Sequence, residues 1–346
     1  MSMMRGLAVR AVVVAALAAA NTLAATSVLG EGTAPVDVAA RKRSKPRGLP
    51  RCQGAPQCLP SFIARLKNAP FPIRANDDGQ GRPFFNDIKR SSGKRFRITK
   101  DGKRYPEAFH YSDPSVLFHV PRSFDRDKPF RVVVYFHGDE SVLEPDVVGD
   151  SGLIEQIDAS HTNVILIAPQ LAYAAIDSHP GKLIRPGGLA RMLDEASGIL
   201  ARALGRRFGR RMARAPVVLV AFSGGYLPLA KALSTSDGGS RLVERIEGIV
   251  LLDAIYGELP LIDGWLEARS GRVFLVGLYG RQSRRRTLDL FSRWDDRRMT
   301  YKQRLPRRIQ RGTVSLARVR TDHPAIVNDG PPRDPIAAIL RRLPPP

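Results

Sequence analysis

Residues 216–225, PVVLVAFSGG, decide the fold: a run of branched and apolar side chains stops at Ser223-Gly224-Gly225. A continuous apolar run of this length, closed by turn-forming residues, reads as a strand buried on both faces. Five similar runs stand around it, at 132–136 (VVVYF), 164–168 (VILIA), 248–253 (GIVLLD), 272–279 (RVFLVGLY) and 313–319 (TVSLARV). Helical periodicity fills the gaps between them. It is clearest over 189–208, where Leu189, Met192, Leu193, Ala196, Ile199, Leu200 and Leu204 recur at three- and four-residue steps. A short helix is expected from Tyr226 to Leu233, and a last one at Asp334-Pro335, a cap residue followed by proline. Strand and helix in alternation predict an α/β chain with a mainly parallel central sheet flanked by helices.

Upstream the pattern changes. Residues 94–109, KRFRITKDGKRYPEAF, alternate around Asp101-Gly102 and predict a β-hairpin, and Ser115 to Val120 is a further extended piece. At the start, Arg5 and Arg10 precede an apolar run from Ala11 to Ala20, with Ala18-Ala19-Ala20 or Thr22-Leu23-Ala24 as a small-residue cleavage box. That run is half of the roughly 20 residues a bilayer span needs, so it reads as a secretory signal peptide. The expected organisation is a signal peptide at 1–25, a flexible basic linker at 26–60 and a single domain at 61–346, of which 61–114 is an N-terminal extension. The expected location is periplasmic or secreted. The two cysteines, Cys52 and Cys58, are then expected to form a disulfide, since no second pair exists to complete a metal site.

Composition sets further limits. The chain has 346 residues, 43% of them hydrophobic and 25% charged, which excludes disordered and polytopic membrane classes. Fifty-five Lys and Arg against 33 Asp and Glu give a formal charge of +22. The excess concentrates in 41–51 and 281–311, so an anionic surface or glycan is a conceivable partner. No nucleic-acid module is recognisable.

Chemistry in a mainly parallel sheet gathers at the carboxyl ends of its strands. Those ends carry His137-Gly138, Ser223-Gly224-Gly225, Asp253 and, after the last strand, His323. Serine, acid and histidine occur in that chain order, and small residues at Ala221 and Gly225 suit a sharp strand-to-helix turn at the serine, although Ala221 stands where the usual pattern has glycine. The other histidines, His110, His119, His137, His161 and His179, all precede Ser223, which leaves His323 as the base. Asp253 closes an apolar strand and needs partners to be tolerated there; Asp289, Asp295 and Asp296 are later candidates in a basic stretch. Backbone N–H groups of Gly224 and Asp139 are expected to form an oxyanion hole, with the Asp139 side chain expected to face outward. Tyr226, Tyr256 and Trp265 fit either a substrate pocket or the core.

Together these residues resemble the α/β-hydrolase superfamily. The segments YFHG (135–138), VAFSGGYLP (220–228), LLDAIYGE (251–258) and the closing His323 to Asp334-Pro335-Ile336 look more closely like a group of exported, mostly uncharacterised bacterial α/β-hydrolase proteins. The resemblance implies a Ser-His-Asp hydrolase on Ser223, His323 and Asp253 and names no substrate; the expectation set beside it is a carboxylesterase acting on a small-molecule or polymer ester, without cofactor or metal. A rival expectation from another class is a non-catalytic protein on the same scaffold, holding acidic glycan or membrane through its basic segments.

Overall fold

The computed structural model describes residues 48–73, 78, 81–235 and 241–346. The expected signal peptide and the first part of the expected linker lie outside the described residues. Eleven strands occur among those described: β1 (Ser61–Arg65), β2 (Asp87–Lys89), β3 (Lys94–Ile98), β4 (Arg104–Pro106), β5 (Ser115–His119), β6 (Arg131–Phe136), β7 (Val164–Pro169), β8 (Val217–Phe222), β9 (Ile246–Leu252), β10 (Phe274–Tyr279) and β11 (Val314–Arg318).

Eight of them form one sheet in the order β1-β5-β7-β6-β8-β9-β10-β11. The pairs from β7 to β11 are parallel, and β5 runs antiparallel to both β1 and β7. Each central strand sends alternate side chains to two cores: Val132, Val134 and Phe136 to one, Val133 and Tyr135 to the other. Burial on both faces is why the strands read as unbroken apolar runs. One core packs under helices Gly188–Leu204, Tyr226–Thr235 and Leu259–Ala268, and the other includes Ile336, Ile339 and Leu340 of helix Pro335–Leu340. The predicted helix at 189–208 breaks at Gly205, whose φ of 95° suits glycine, and restarts as Arg206–Met212.

One expectation needs correction. Residues 48–60 are packed, not linker: Ile63 N donates to Pro50 O at 3.0 Å, Cys52 N donates to Ile63 O at 2.9 Å, and a Cβ on Gly54 would stand 2.1 Å from Ile199 O. Cys58 is buried, and the Cys52–Cys58 disulfide is formed. The 61–114 extension joins the main sheet through its first strand, β1, an edge strand with Phe62 stacked on Phe118 at 4.9 Å. Only β2, β3 and β4, the predicted hairpin plus one strand, make a separate antiparallel sheet. A small aromatic core of Phe71, Phe84, Phe85 and Tyr111 supports this smaller sheet and packs with Ala172 and Ala175 of the loop after β7. Arg95 and Arg97 of β3 lie over the Phe85 and Phe84 rings at 4.7 and 4.4 Å.

Closing a loop this short with a disulfide stabilises a protein by about 2 kcal/mol through the unfolded chain. Replacing both cysteines, Cys52→Ser with Cys58→Ser, is expected to lower the unfolding free energy by about that amount, read from the shift of a denaturant midpoint at constant slope.

Candidate active site

Ser223 sits between the end of β8 and the start of helix Tyr226–Thr235, in the left-handed region with φ 50°. A serine accepts this conformation only where packing enforces it. Gly225 supplies one constraint: a Cβ there would lie 2.2 Å from Phe136 O, so no other residue lets the turn approach the end of β6 so closely. Gly138 supplies the second, since a Cβ on it would lie 2.9 Å from Ser223 Cβ. The hydroxyl is thereby pressed up between the ends of two central strands.

The loop after β11 returns His323 to this point. Ser223 Oγ lies 2.7 Å from His323 Nε2, and His323 Nδ1 lies 2.6 Å from Asp253 Oδ2. Residues 70 and 100 positions apart in the chain thus form one hydrogen-bonded line. The roles follow from chemistry: the hydroxyl donates to Nε2, and Nδ1–H donates to the carboxylate. The Phe222 ring stacks against the imidazole at 5.0 Å, and Tyr256 meets it edge-on, which fixes its plane.

Asp253 is fully buried at the end of β9. Burial alone pushes its carboxyl upward, but hydrogen bonds from His323, from the Ser283 hydroxyl and from Gly280 N at 2.8 Å outweigh that and hold it below the ordinary carboxylate range. Its contribution to stability is therefore present above that range and is lost as pH falls through its folded value. It caps no helix; Glu258 occupies the cap position of Leu259–Ala268. Asp289 and Asp295 pair instead with Arg286 and Tyr301, and the residue range of Asp289, Asp295 and Asp296 belongs to helix Arg284–Asp296.

The loop after β6 is tied by His137, which is buried. Its Nε2 accepts from Leu171 N at 2.9 Å and from Gln170 Nε2 at 3.0 Å, so Nδ1 carries the proton and donates to Gly138 O at 2.7 Å. In a trans peptide the C=O and the following N–H point opposite ways, so holding Gly138 O also sets the direction of the Asp139 N–H. Neither Ser283 nor this use of His137 was legible in the sequence, where Ser283 is one polar residue in an arginine-rich run.

The Asp139 side chain contradicts the expectation that it faces outward. Its Oδ1 accepts from Ser178 Oγ at 2.7 Å, and a Cβ on Gly224 would lie 2.5 Å from that same oxygen. Of the three aromatic candidates, Trp265 is core, while Tyr226 and Tyr256 pair near the site at 5.9 Å. An open cleft of about 710 Å³ adjoins the elbow, with Asp139, Ser178 and Tyr226 among its lining and Arg97 and Ile98 of the small sheet on its far wall. Among the described residues no group of His, Cys, Asp and Glu is arranged to hold a metal ion. A second serine-histidine-aspartate contact, Ser61 to His119 Nδ1 at 2.7 Å and His119 Nε2 to Asp158 at 3.0 Å, joins β1, β5 and helix Leu153–Ala159; it has the ring reversed and His119 buried, as a structural tie.

No protein-family model matches this chain, and no curated protein matches it. Solved structures do. The feruloyl esterase module of Clostridium thermocellum, an S954A mutant complexed with sinapinate, is 12% identical with a TM-score of 0.43, covering 79% of this chain and 93% of its own. An S-formylglutathione hydrolase from Agrobacterium tumefaciens is 11% identical with a TM-score of 0.40, covering 68% and 91%. Thermogutta terrifontis esterase 2, phosphonylated by sarin, is 9% identical with a TM-score of 0.37, covering 60% and 79%. At such distances the fold assignment stands on this chain's own strand order and site geometry.

Burial lowers the His137 imidazole to about 4, so the folded protein holds it neutral where the unfolded chain begins to protonate it. Stability is therefore expected to fall as pH drops from about 6.5 towards 4. A His137→Gln variant, which cannot titrate, is expected to show a flatter decline in unfolding free energy over that window, and to be about 1–3 kcal/mol less stable at neutral pH if the Leu171 N–H loses its acceptor.

Proposed function

We propose that this protein is an exported serine hydrolase of the α/β-hydrolase fold, a carboxylesterase working through Ser223, His323 and Asp253. The observation that carries the reading is the continuous line Asp253–His323–Ser223, with contacts of 2.6 and 2.7 Å, on a strained turn at a strand end. Arrangements of this kind serve nucleophilic acyl transfer.

In the first half-reaction His323 Nε2 takes the Ser223 proton as Oγ bonds to the ester carbonyl carbon. The carbonyl oxygen becomes an oxyanion facing the N–H groups of Gly224 and Asp139, whose preset direction costs no reorganisation. The tetrahedral intermediate collapses, the bond to the leaving alkoxide breaks, and His323 returns the proton to that oxygen. In the second half water enters, gives a proton to His323, attacks the acyl carbon and releases the acid with Ser223 restored. Asp253 keeps the imidazole in the tautomer with Nδ1–H and stabilises the imidazolium formed in each half. The cleft of about 710 Å³ beside Tyr226 is the space offered to the leaving group or acyl chain of a small-molecule or polymer ester. Export rests on the N-terminal basic and apolar pattern and agrees with the disulfide; among the described residues no helix is long and apolar enough to cross a membrane.

A fluorophosphonate probe is expected to label the wild-type protein on Ser223 and to leave Ser223→Ala unlabelled; an unlabelled wild type with normal folding overturns the reading. Against a panel of aryl and alkyl esters, Asp253→Asn is expected to lower kcat by about 10³–10⁴ with little change in KM, because it strands the imidazole in the wrong tautomer.

A further inference from the structure

We propose that Asp139 gates the reaction by its charge: hydrolysis proceeds from the state in which its side chain, packed against the residue whose N–H would face the developing oxyanion, is a neutral carboxylic acid. The proposal rests on the serine-hydrolase reading and deepens it. Its basis is position. The Asp139 carboxyl lies against Gly224, the residue whose N–H would receive the oxyanion, with Oδ1 and Cγ at 2.5 and 2.7 Å from where a Gly224 Cβ would stand. Only a glycine at 224 leaves room for it. Ser178 Oγ lies equally close to that point and donates to Oδ1 at 2.7 Å, so the carboxyl is held in place from the loop after β7. Ionised, it would put a second negative charge next to the one that the N–H pair is arranged to stabilise, and like charges in a partly buried site repel strongly. Neutral, it leaves the N–H pair unopposed.

The groups that face Asp139 come from several elements. Asp177 of the same loop as Ser178 adds negative potential, though it is itself paired to Arg97 of β3, and Glu140 adds more from the Asp139 loop. His323, from the loop after β11, opposes them when protonated. Tyr226 and Tyr256 are both raised above the ordinary phenol range by burial and stay neutral. The balance for Asp139 is upward: burial raises it most, Ser178 draws it down, and Asp177 and Glu140 raise it again. The acid form therefore persists to higher pH than for an ordinary aspartate and is lost as pH rises. Activity then has two limbs, an acid limb where His323 must be free to accept a proton and an alkaline limb where Asp139 ionises.

A two-limbed profile alone is equally compatible with the reverse pair of protonation states, ionised Asp139 beside a protonated His323. Asp139→Asn separates them, since the amide keeps the shape and can never ionise. The experiment measures kcat/KM for a 4-nitrophenyl ester from about pH 4 to 10, at a wavelength insensitive to product ionisation, for wild type, Asp139→Asn and Ser178→Ala, with fluorophosphonate labelling of each. The expected result is that Asp139→Asn keeps the acid limb, loses the alkaline limb and exceeds wild type by a factor that grows about tenfold per pH unit along that limb. Ser178→Ala, which removes the hydrogen bond favouring the carboxylate, is expected to move the wild-type alkaline limb to higher pH, and this holds as a test even if Asp139→Asn does not fold. An Asp139→Asn enzyme slower than wild type at every pH, or an alkaline limb unmoved in both variants, overturns the proposal while normal labelling leaves the hydrolase reading intact. Absence of labelling and of turnover in the wild type overturns both.

Discussion

The site depends on one steric constraint, the close approach of the turn at Ser223 to the end of β6. Gly225 against Phe136 O and Gly138 against Ser223 Cβ are two contacts that no side chain larger than hydrogen satisfies, and Gly224 leaves the space that the Asp139 carboxyl and Ser178 hydroxyl occupy. They compress the nucleophile, the N–H pair and an acidic side chain into one corner of the sheet. The positive φ of Ser223 is the local cost of that compression, and the two buried central strands on either side make it sustainable.

The remaining groups reach this corner from separate directions, each held by contacts outside the Ser223–His323–Asp253 line itself. Asp253 is gripped by Gly280 and Ser283 after β10, the His323 ring is clamped by Phe222, and the Asp139 loop is set by His137, which is itself held from the loop after β7. This division of labour matters because a nucleophile and base useful for proton transfer must stay within hydrogen-bond reach while the substrate arrives. The N-terminal extension contributes an edge strand of the main sheet, and Arg97 and Ile98 of its small antiparallel sheet line the cleft.

The arginine excess looks different in three dimensions from its linear pattern. Arg95 and Arg97 lie over Phe85 and Phe84 and also pair with Glu107 and Asp177, while Arg104 covers Phe96 and pairs with Asp87. Arg293 and Arg297 converge on buried Asp263, so part of the basic 281–311 segment fastens one helix to another. Planar guanidinium groups suit both tasks, stacking on rings and bridging carboxylates. Several of the charges that would suggest an anionic partner are thus used within the fold.

Much of the fold was legible because period and punctuation are local properties. Unbroken apolar runs ending in Gly, Asp or His marked the central strands and the ends where Ser223 and Asp253 meet, and the position of His323 as the histidine after Ser223 pointed to it as the serine's partner by chain order. Less was legible where meaning depends on contact across the chain. Nothing local showed that 48–60 packs on helix Gly188–Leu204, that β1 closes the sheet, that Ser283 supports Asp253, or that Asp139 turns inward. From sequence alone came the class of fold, the identities of the three residues and the glycines around the serine, since backbone freedom and burial are written residue by residue. Distances, the tautomer of His137 and the inward carboxyl of Asp139 were decided by tertiary packing, because which polar group meets which in a buried corner depends on neighbours tens of residues away.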